Sequence, residues 1–317
     1  MFRMMNLIAL IALTLSSASC ATLYEEMSAK PYEPNSMPIF REVIGGGPQR
    51  IVLIHGLGGS SRYWESRLPF NKAHYTFLII DLLGFGRSPK PDSDYSLSTQ
   101  VGAVTSAMAE EGFLVPGTIV VGHSLDALIT LGILAKEPHI PMGGVLLSIP
   151  IFDSPEDAKS RLGSISLMHR GIIEGSVWVR ALCHMRDFLR TPLFNLEDDL
   201  PEEVFEDGMR HTWISMTRTL RAIVMDTNPR ELADRIDGRK ILFIHGAADA
   251  TAPYQNAVNF AKLVNGSHFL TLVKQGHNNF LSRSNLTWQG IESFERDLGF
   301  HVRARNLLSL HNNYFQH

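Results

Sequence analysis

Basic runs, internal repeats and low-complexity tracts are absent from this chain of 317 residues. Lysine and arginine are scattered and the net charge is −3, so charge gives no reason to expect a nucleic-acid partner. The composition is also free of the periodic or biased segments that mark repeat proteins and disordered tracts. A hydrophobic content of 44% is enough for a large core, in one domain or in one domain with an insertion.

Cysteine is scarce as well, with only Cys20 and Cys183 in the chain. Cys20 follows an N-terminal segment that has one positive charge at Arg3, an apolar run at Leu7–Leu15 and then small residues. This apolar run is too short to span a bilayer comfortably as a helix, and its layout is typical of a signal peptide. If Cys20 carries lipid, Cys183 has no partner and an internal disulfide is excluded.

The residues directly before Cys20 resemble a bacterial lipobox, in which the cysteine is lipidated and becomes the new N-terminus. Ala18 and Ser19 fit this motif, whereas Ser17 stands where leucine is most usual. Cleavage without lipidation and an uncleaved anchor are the alternatives. We therefore expect a signal peptide at 1–20 and an exported protein, either a bacterial membrane-anchored lipoprotein or a soluble periplasmic or secreted one.

Short apolar runs alternate with helix-length segments from Ile39 onward. Each run is bounded by Gly, Pro or Asp and is nearly continuous in Val, Ile and Leu, as a two-sided parallel sheet requires. This alternation predicts an α/β doubly wound sheet, with strands at 50–56, 75–81, 118–122, 144–149, 240–246 and 268–273. Helices are predicted near 97–111, 125–136, 253–264 and 286–298. The glycine-rich segment 43–50 predicts a turn that joins leading antiparallel strands.

The strand pattern is interrupted between Ile149 and Lys240, where only helical periodicity with scattered prolines is found. An insertion after a sheet strand sits over the crevice where α/β sheets bind ligands, so we expect a helical lid over the site. A helical decoration away from the site is the alternative. The chain is thereby divided into a signal peptide at 1–20, a core at 36–152 and 227–300, a helical cap or lid at 153–226 and a C-terminal tail at 301–317.

Several large side chains of this insertion could line an apolar acyl pocket or form the core of the lid itself. Because such residues more often pack in a core, we expect the second role for most of this set, which comprises Met168, Trp178, Met185, Met209 and Trp213.

The segment VVGHSLDALIT, Val120 to Thr130, places Ser124 between an apolar strand and a helix. A serine there lies on a sharp, strained turn with its hydroxyl above the sheet edge. Serine alone is a poor nucleophile, so the chemistry needs a base and a group that orients the base. Asp249 and His277 follow later strands in the expected order. We predict that His277 takes the Ser124 proton and that Asp249 fixes the histidine tautomer and stabilises the imidazolium.

These motifs resemble those of the α/β-hydrolase superfamily, in its capped, esterase-like members, over nearly all of Ile39–Leu298. Two further segments carry the resemblance: HGLGG at His55–Gly59 matches the family's HG loop, and DLLGFGRS at Asp81–Ser88 matches its D-x-x-G-x-G-x-S turn. The resemblance implies an α/β-hydrolase fold with a helical lid insertion. It also implies an oxyanion hole made by the backbone N–H groups of Leu57 and Leu125.

Other residues near these motifs are interpreted as supporting ones. His123 is expected to be a packing or hydrogen-bonding residue rather than a base, and His55 and His245 are expected to be structural rather than catalytic. Gly56, together with His55 and His123, is a candidate modulator of the site. Asp81 is expected to cap the turn that follows it. The histidines lack metal-ligand spacing with nearby carboxylates, so we expect neither a metal nor a cofactor.

Asp126 departs from the family pattern, because glycine is usual two residues after the nucleophile. A buried and unpaired carboxylate would cost several kcal/mol or would keep its proton. The side chain could lie at the rim of the first helical turn and accept backbone N–H groups, could hydrogen-bond inside the pocket and shape substrate choice, or could mark a dead enzyme. We favour the rim position. The intact Ser124, Asp249 and His277 argue against a dead enzyme.

The sequence thus predicts an exported serine hydrolase that cleaves a small or lipidic apolar ester through an acyl-enzyme on Ser124. Carbon–carbon bond hydrolysis of diketone ring-fission products, amide hydrolysis and cofactor-free perhydrolysis remain open on the same residues, since a fold alone does not choose among them. A non-catalytic ligand-binding protein on a hydrolase scaffold is the alternative from another class. The expected partners are the substrate and, if Cys20 is lipidated, a membrane.

Overall fold

The computed structural model describes residues 24–65, 67–69, 73–140, 142–184 and 201–314. The predicted signal peptide at 1–20 and Cys20 lie outside these ranges. No helix within them is both long enough and apolar enough to cross a membrane.

The described part of the chain contains a seven-stranded sheet with the order β1-β3-β2-β4-β5-β6-β7. All neighbouring strands are parallel except β1, which runs antiparallel to β3. The strands are β1 Arg41–Gly45, β2 Gln49–Ile54, β3 Tyr75–Ile80, β4 Ile119–His123, β5 Gly143–Leu147, β6 Ile241–Gly246 and β7 His268–Leu272. The six strands that the apolar runs predicted are therefore confirmed.

The pairing of the first two strands differs from the expectation for the turn at 43–50. This turn joins β1 to β2, but β3 lies between them in the sheet. Residues 51–54 of β2 are fully buried, so this strand takes a central place with parallel neighbours on both sides. β1 pairs with the outer edge of β3. The turn that follows β1 crosses over the start of β3, where the Gly47 N–H donates to the Tyr75 carbonyl over 3.1 Å, and leads into β2.

Helices cover both faces of the sheet and fill most of the described insertion. Between β2 and the insertion they are α1 Arg62–Glu65, α2 Leu97–Glu110 and α3 Leu125–Lys136. Within it they are α4 Pro155–Ile165, α5 Leu167–Glu174, α6 Val177–His184, α7 Glu202–Gly208, α8 Trp213–Thr219 and a π-helix at Leu220–Met225. After it come α9 Pro229–Ala233, a short 3₁₀ helix at Gly238–Lys240, α10 Tyr254–Leu263 and α11 Asn279–Tyr314, which is kinked at Arg283.

Alternate residues of strands β2 to β6 face two separate apolar clusters, because successive side chains of a strand point to opposite faces. In β2, Val52 and Ile54 pack with residues of α2 and α3, whereas Ile51 and Leu53 pack on the other face with residues of α1 and α11. The two layers cover both faces of the sheet up to its carboxyl edge, where the polar loops begin.

The large side chains of the insertion are less buried than the sequence suggested. Trp213 is buried, Met168 and Met209 are half-buried, and Trp178 is 82% exposed; Met185 lies outside the described residues. The expectation of a lid core is therefore wrong for Trp178. Trp178 lies on α6, in which no residue is buried, so the neighbouring elements that the structure describes leave this helix uncovered.

Candidate active site

Ser124 lies at a sharp turn between β4 and α3. Its φ of 56° and ψ of −126° belong to a region that side-chain-bearing residues seldom adopt, as expected for a nucleophile on a strained strand-to-helix turn. The turn is tight because Gly122 lies directly against α3, where an added Cβ would overlap the Asp126 carbonyl oxygen. The Ser124 N–H donates to the Leu147 carbonyl over 2.8 Å, which fixes the turn to β5.

A chain of hydrogen bonds connects Ser124 with His277 and Asp249. The Ser124 Oγ lies 2.9 Å from His277 Nε2, and His277 Nδ1 lies 2.9 Å from Asp249 Oδ2 and 3.1 Å from Oδ1. Asp249 Oδ1 also accepts the N–H groups of Thr251 and Ala252, each over 2.9 Å. The loops after β6 and β7 thus bring an acid and an imidazole to the serine at the carboxyl edge of the sheet.

The charge of Asp249 follows from its surroundings. Burial acts to raise the pKa of this carboxyl group, but the hydrogen bond and charge of His277 and the Ala252 N–H outweigh burial and lower the pKa below its ordinary value. The carboxylate is therefore ionised and accepts Nδ1–H of His277, which leaves Nε2 free to accept the Ser124 hydroxyl proton.

His123 holds the loop that carries His277. Its Nε2–H donates to the His277 carbonyl over 3.0 Å, and its ring stacks on Tyr63 with a centroid distance of 4.8 Å. Burial and the neighbouring His277 lower the pKa of His123 to about 3, so the ring is a neutral donor. These contacts agree with the packing and hydrogen-bonding role expected for it.

Two supporting residues were not found from the sequence. Ser148, which follows β5, donates to the same His277 carbonyl over 3.3 Å, and Asn279 Nδ2 donates to Ser148 Oγ over 2.7 Å. Ser148 has a φ of 50°. Its place directly after a predicted strand is the signal that could have identified it.

The HG loop lies directly on the turn that carries Ser124. A Cβ on Gly56 would lie 2.9 Å from His123 Nδ1 and 3.3 Å from Ser124 Cβ, so glycine permits this approach. Leu57 follows in the loop, and Leu125 is the first residue of α3, where an N–H has no acceptor within the helix. Both amides thus belong to segments that meet at Ser124.

Two further histidines contact the main chain near these loops. His55 is fully buried; its Nδ1–H donates to the Gly56 carbonyl over 2.7 Å, and its Nε2 accepts the Leu82 N–H over 3.0 Å. His245 Nε2 lies 3.0 Å from the Ala252 carbonyl and 3.4 Å from Asp249 Oδ2. Both ring nitrogens of His55 and Nε2 of His245 are thus bonded to main-chain groups.

Asp81 fixes two loops at once. Its Oδ1 accepts the Ser61 N–H over 2.6 Å, and its Oδ2 accepts the Arg87 N–H over 2.7 Å. The second bond caps the turn after Asp81, as expected. The first extends this role to the segment that follows the HG loop.

Asp126 is fully buried, and the expectation of a position at the helix rim is wrong. Within the described part of the chain its two carboxyl oxygens have no hydrogen-bond partner. His55 Nδ1 lies 3.9 Å from Oδ2, but its N–H is used by the Gly56 carbonyl. The physical reason is that every residue of α3 from Leu125 to Ala135 is buried, so the first turn has no exposed rim. Burial raises the pKa of Asp126 well above its ordinary value, which favours the neutral form of the group.

We expect the stability of Asp126→Asn, relative to that of the wild type, to be higher at pH 8 than at pH 5. Unfolded Asp126 loses its proton above about pH 4, whereas the folded group keeps it, so wild-type stability falls by up to about 1.4 kcal/mol per pH unit above that point. Asparagine removes this loss. The free energy of unfolding from denaturant titrations at the two pH values measures the change, and the comparison between them cancels the cost of burying an amide.

The matched control for this comparison is Glu156→Gln, which removes an exposed carboxylate of α4. The control is expected to shift stability equally at both pH values. An equal shift for Asp126→Asn would show that Asp126 is ionised in the folded protein.

Several known hydrolases resemble this chain in sequence. The sequence profile of the alpha/beta hydrolase family matches residues 51–285. "Probable lysophospholipase BODYGUARD 4" of Arabidopsis thaliana is 37% identical over 109 residues, which are 33% of this chain and 26% of the plant protein. The match thus spans about a quarter of the length of that plant relative. A "2-hydroxy-6-oxo-6-(2'-aminophenyl)hexa-2,4-dienoic acid hydrolase" of Metapseudomonas resinovorans is 26% identical over 255 residues, covering 75% of this chain and 80% of that protein.

Solved structures share the architecture. A bromoperoxidase from Bacillus anthracis superposes with a TM-score of 0.66 at 19% identity, covering 85% of this chain and 100% of the other. The esterase RhEst1 from Rhodococcus sp. ECU1013 gives a TM-score of 0.64 at 22% identity, covering 85% and 98%. At these identities the likeness extends to the fold alone.

Proposed function

The chain belongs to the alpha/beta hydrolase family, and on this premise we propose that it is a serine hydrolase that cleaves a small or lipidic apolar ester through an acyl-enzyme on Ser124. The observation that carries the proposal is the hydrogen-bonded chain from Ser124 Oγ through His277 to Asp249. A serine that donates to a neutral imidazole, which in turn donates to an ionised acid, is activated for attack on an acyl carbon.

In the first half of the proposed reaction, Ser124 Oγ attacks the ester carbonyl carbon while His277 Nε2 takes the hydroxyl proton. The carbonyl oxygen becomes an oxyanion that accepts the N–H groups of Leu57 and Leu125. Asp249 remains ionised and stabilises the imidazolium through Nδ1–H. The imidazolium then gives its proton to the leaving alkoxide, which departs as the alcohol.

In the second half, His277 takes a proton from a water molecule, and the resulting hydroxide attacks the acyl carbon. The tetrahedral intermediate collapses and breaks the bond to Ser124 Oγ. The proton returns from His277 to the serine, and the carboxylic acid leaves. The neutral Asp126 near the HG loop adds no charge that would oppose the oxyanion.

The preference for lipidic esters is supported by the surface of the insertion. Leu167, Val177 and Trp178 are 81%, 78% and 82% exposed, and exposed apolar side chains of this kind favour contact with an apolar surface. The lysophospholipase name of the plant relative points in the same direction. Export and lipidation at Cys20 would bring this surface to a membrane, and the mass of the mature N-terminal peptide tests them: an unmodified or uncleaved N-terminus would contradict lipidation.

Carbon–carbon bond hydrolysis is the second candidate, because the Metapseudomonas resinovorans relative named for a dienoic acid substrate covers 75% of this chain. The same three residues would serve, with a carbon atom in place of the ester oxygen as the leaving group. Ester hydrolysis breaks the bond between the acyl carbon and the ester oxygen, whereas the second reaction breaks a bond between the acyl carbon and another carbon.

We expect hydrolysis of p-nitrophenyl esters, with kcat/KM rising from acetate to octanoate. Each methylene that the site buries contributes up to about 0.8 kcal/mol, or about fourfold. Initial rates across the acyl series measure this trend, with a 2-hydroxy-6-oxo-dienoic acid assayed beside it. Rates that are highest for acetate would contradict a lipidic substrate, and turnover of the dienoic acid without turnover of any ester would contradict the ester proposal.

A further inference from the structure

Asp207 is a buried acid of the insertion that the proposed reaction leaves unused. It lies near the end of α7 and is 1% exposed. Ser60 Oγ donates to its Oδ2 over 2.9 Å. The guanidinium Nε of Arg62 lies 3.3 Å from Oδ2, and that of Arg210 lies 3.3 Å from Oδ1. The carboxylate is thus compensated by two cations and bonded to one hydroxyl.

Ser60 connects this acid to the HG loop, because it follows Leu57 by three residues in the segment after β2. The insertion also contacts the main chain between these two residues. A Cβ on Gly208 would lie 2.9 Å from the Gly58 carbonyl oxygen, and one on Gly58 would lie 3.2 Å from Met216 Cε. The end of α7 and the side of α8 therefore rest on the loop that carries the Leu57 N–H.

The loop is fixed from the sheet side by other groups. The His55 Nδ1–H donates to the Gly56 carbonyl, and Asp81 accepts the Ser61 N–H. Asp207 supplies a contact from the insertion, through Ser60 Oγ. Leu57 lies between these fixed points, so the direction of its N–H depends on both.

We propose that Asp207 is a positioning residue, which acts through Ser60 to hold the Leu57 N–H toward the oxyanion of the reaction. This inference rests on the proposed function, since it concerns the same intermediate. Through Asp207, the insertion then contributes to the position of a catalytic N–H group. Because the N–H serves the transition state more than the bound ester, loss of Asp207 lowers kcat and leaves KM nearly unchanged.

Asp207→Ala is expected to lower kcat by about 10²-fold, as displaced oxyanion donors do. Ser60→Ala removes the other partner and is expected to cause a similar loss. The kcat of the double variant is expected to be little lower than that of either single variant, because both substitutions break the same hydrogen bond between Ser60 and Asp207. Asp207→Asn keeps an oxygen acceptor for Ser60 and is expected to retain kcat within about tenfold, with a neutral hydrogen bond in place of a charged one.

Steady-state kcat and KM for a p-nitrophenyl ester measure these effects, and thermal unfolding shows which variants are folded. Glu203→Gln, an exposed acid of the same helix, is the control and is expected to match the wild type. If Asp207→Ala does not fold, Ser60→Ala carries the same test.

The outcomes separate the two proposals. A wild type that hydrolyses esters, with Ser60→Ala at wild-type kcat, would overturn the positioning role alone. A fall in kcat that is matched by an equal rise in KM would also overturn it. So would losses of kcat that add up in the double variant. A wild type without ester hydrolysis would overturn the proposed function itself.

Discussion

Replacement of Ser124 by alanine is expected to lower kcat for ester hydrolysis by about 10⁴- to 10⁶-fold. The variant loses the atom that forms the acyl-enzyme, and only the oxyanion donors and substrate binding remain. Alanine keeps the Cβ, so the strained backbone at φ 56° is unchanged and the fold is expected to persist. Steady-state hydrolysis by the folded variant measures the loss.

Ser164→Ala is the matched control, since it removes an exposed hydroxyl of α4 and is expected to leave kcat at the wild-type value. Activity of Ser124→Ala within tenfold of the wild type would show that another group is the nucleophile.

Asp249→Asn is expected to lower kcat by about 10⁴-fold with little change in KM. Oδ1 of Asp249 accepts the N–H groups of Thr251 and Ala252, so an asparagine would place its oxygen there and turn its NH₂ group toward His277 Nδ1. His277 would then accept at Nδ1 and carry its proton on Nε2, where it could no longer take the Ser124 proton.

The measurement is kcat and KM for the same ester, with Asp234→Asn as a control for the loss of an exposed carboxylate. A kcat of Asp249→Asn close to that of the wild type would contradict the tautomer argument.

The convergence of Ser124, Asp249 and His277 could be predicted from the sequence although the serine and the histidine are 153 residues apart. Parallel strands end at the same edge of a sheet, so residues in loops after β4, β6 and β7 meet there. The strands were identifiable because buried parallel strands are nearly continuous in Val, Ile and Leu. Periodicity and strand-end placement were therefore sufficient for six of the seven strands and for these three residues, but not for the pairing of β1 with β3.

The surroundings of Asp126 could not be predicted in the same way. The helix propensities of LDALITLGILAK do not say which elements pack on α3, and an acid in its first turn suits the helix dipole. A signal was nevertheless present, because a helix that is apolar on all sides is buried. Asp126 is consequently a neutral interior acid rather than an exposed cap.

The contact between Ser60 and Asp207 also depends on tertiary packing, since 147 residues separate the two. No local pattern assigns an acid within a helical insertion to a loop after β2. The same limit applies to Trp178, whose exposure depends on which helices cover α6. Contacts between the insertion and the core are thus the part of the site that required the structure.

A fluorophosphonate probe with peptide mapping by mass spectrometry tests most directly whether Ser124 is an activated nucleophile. Native protein is expected to gain a single adduct on the peptide that contains Ser124, because His277 Nε2 lies 2.9 Å from its hydroxyl. Denatured protein and Ser124→Ala are expected to remain unlabelled. Native, folded protein that resists the probe, or an adduct on another residue, would contradict the serine hydrolase proposal and favour a ligand-binding protein on this scaffold.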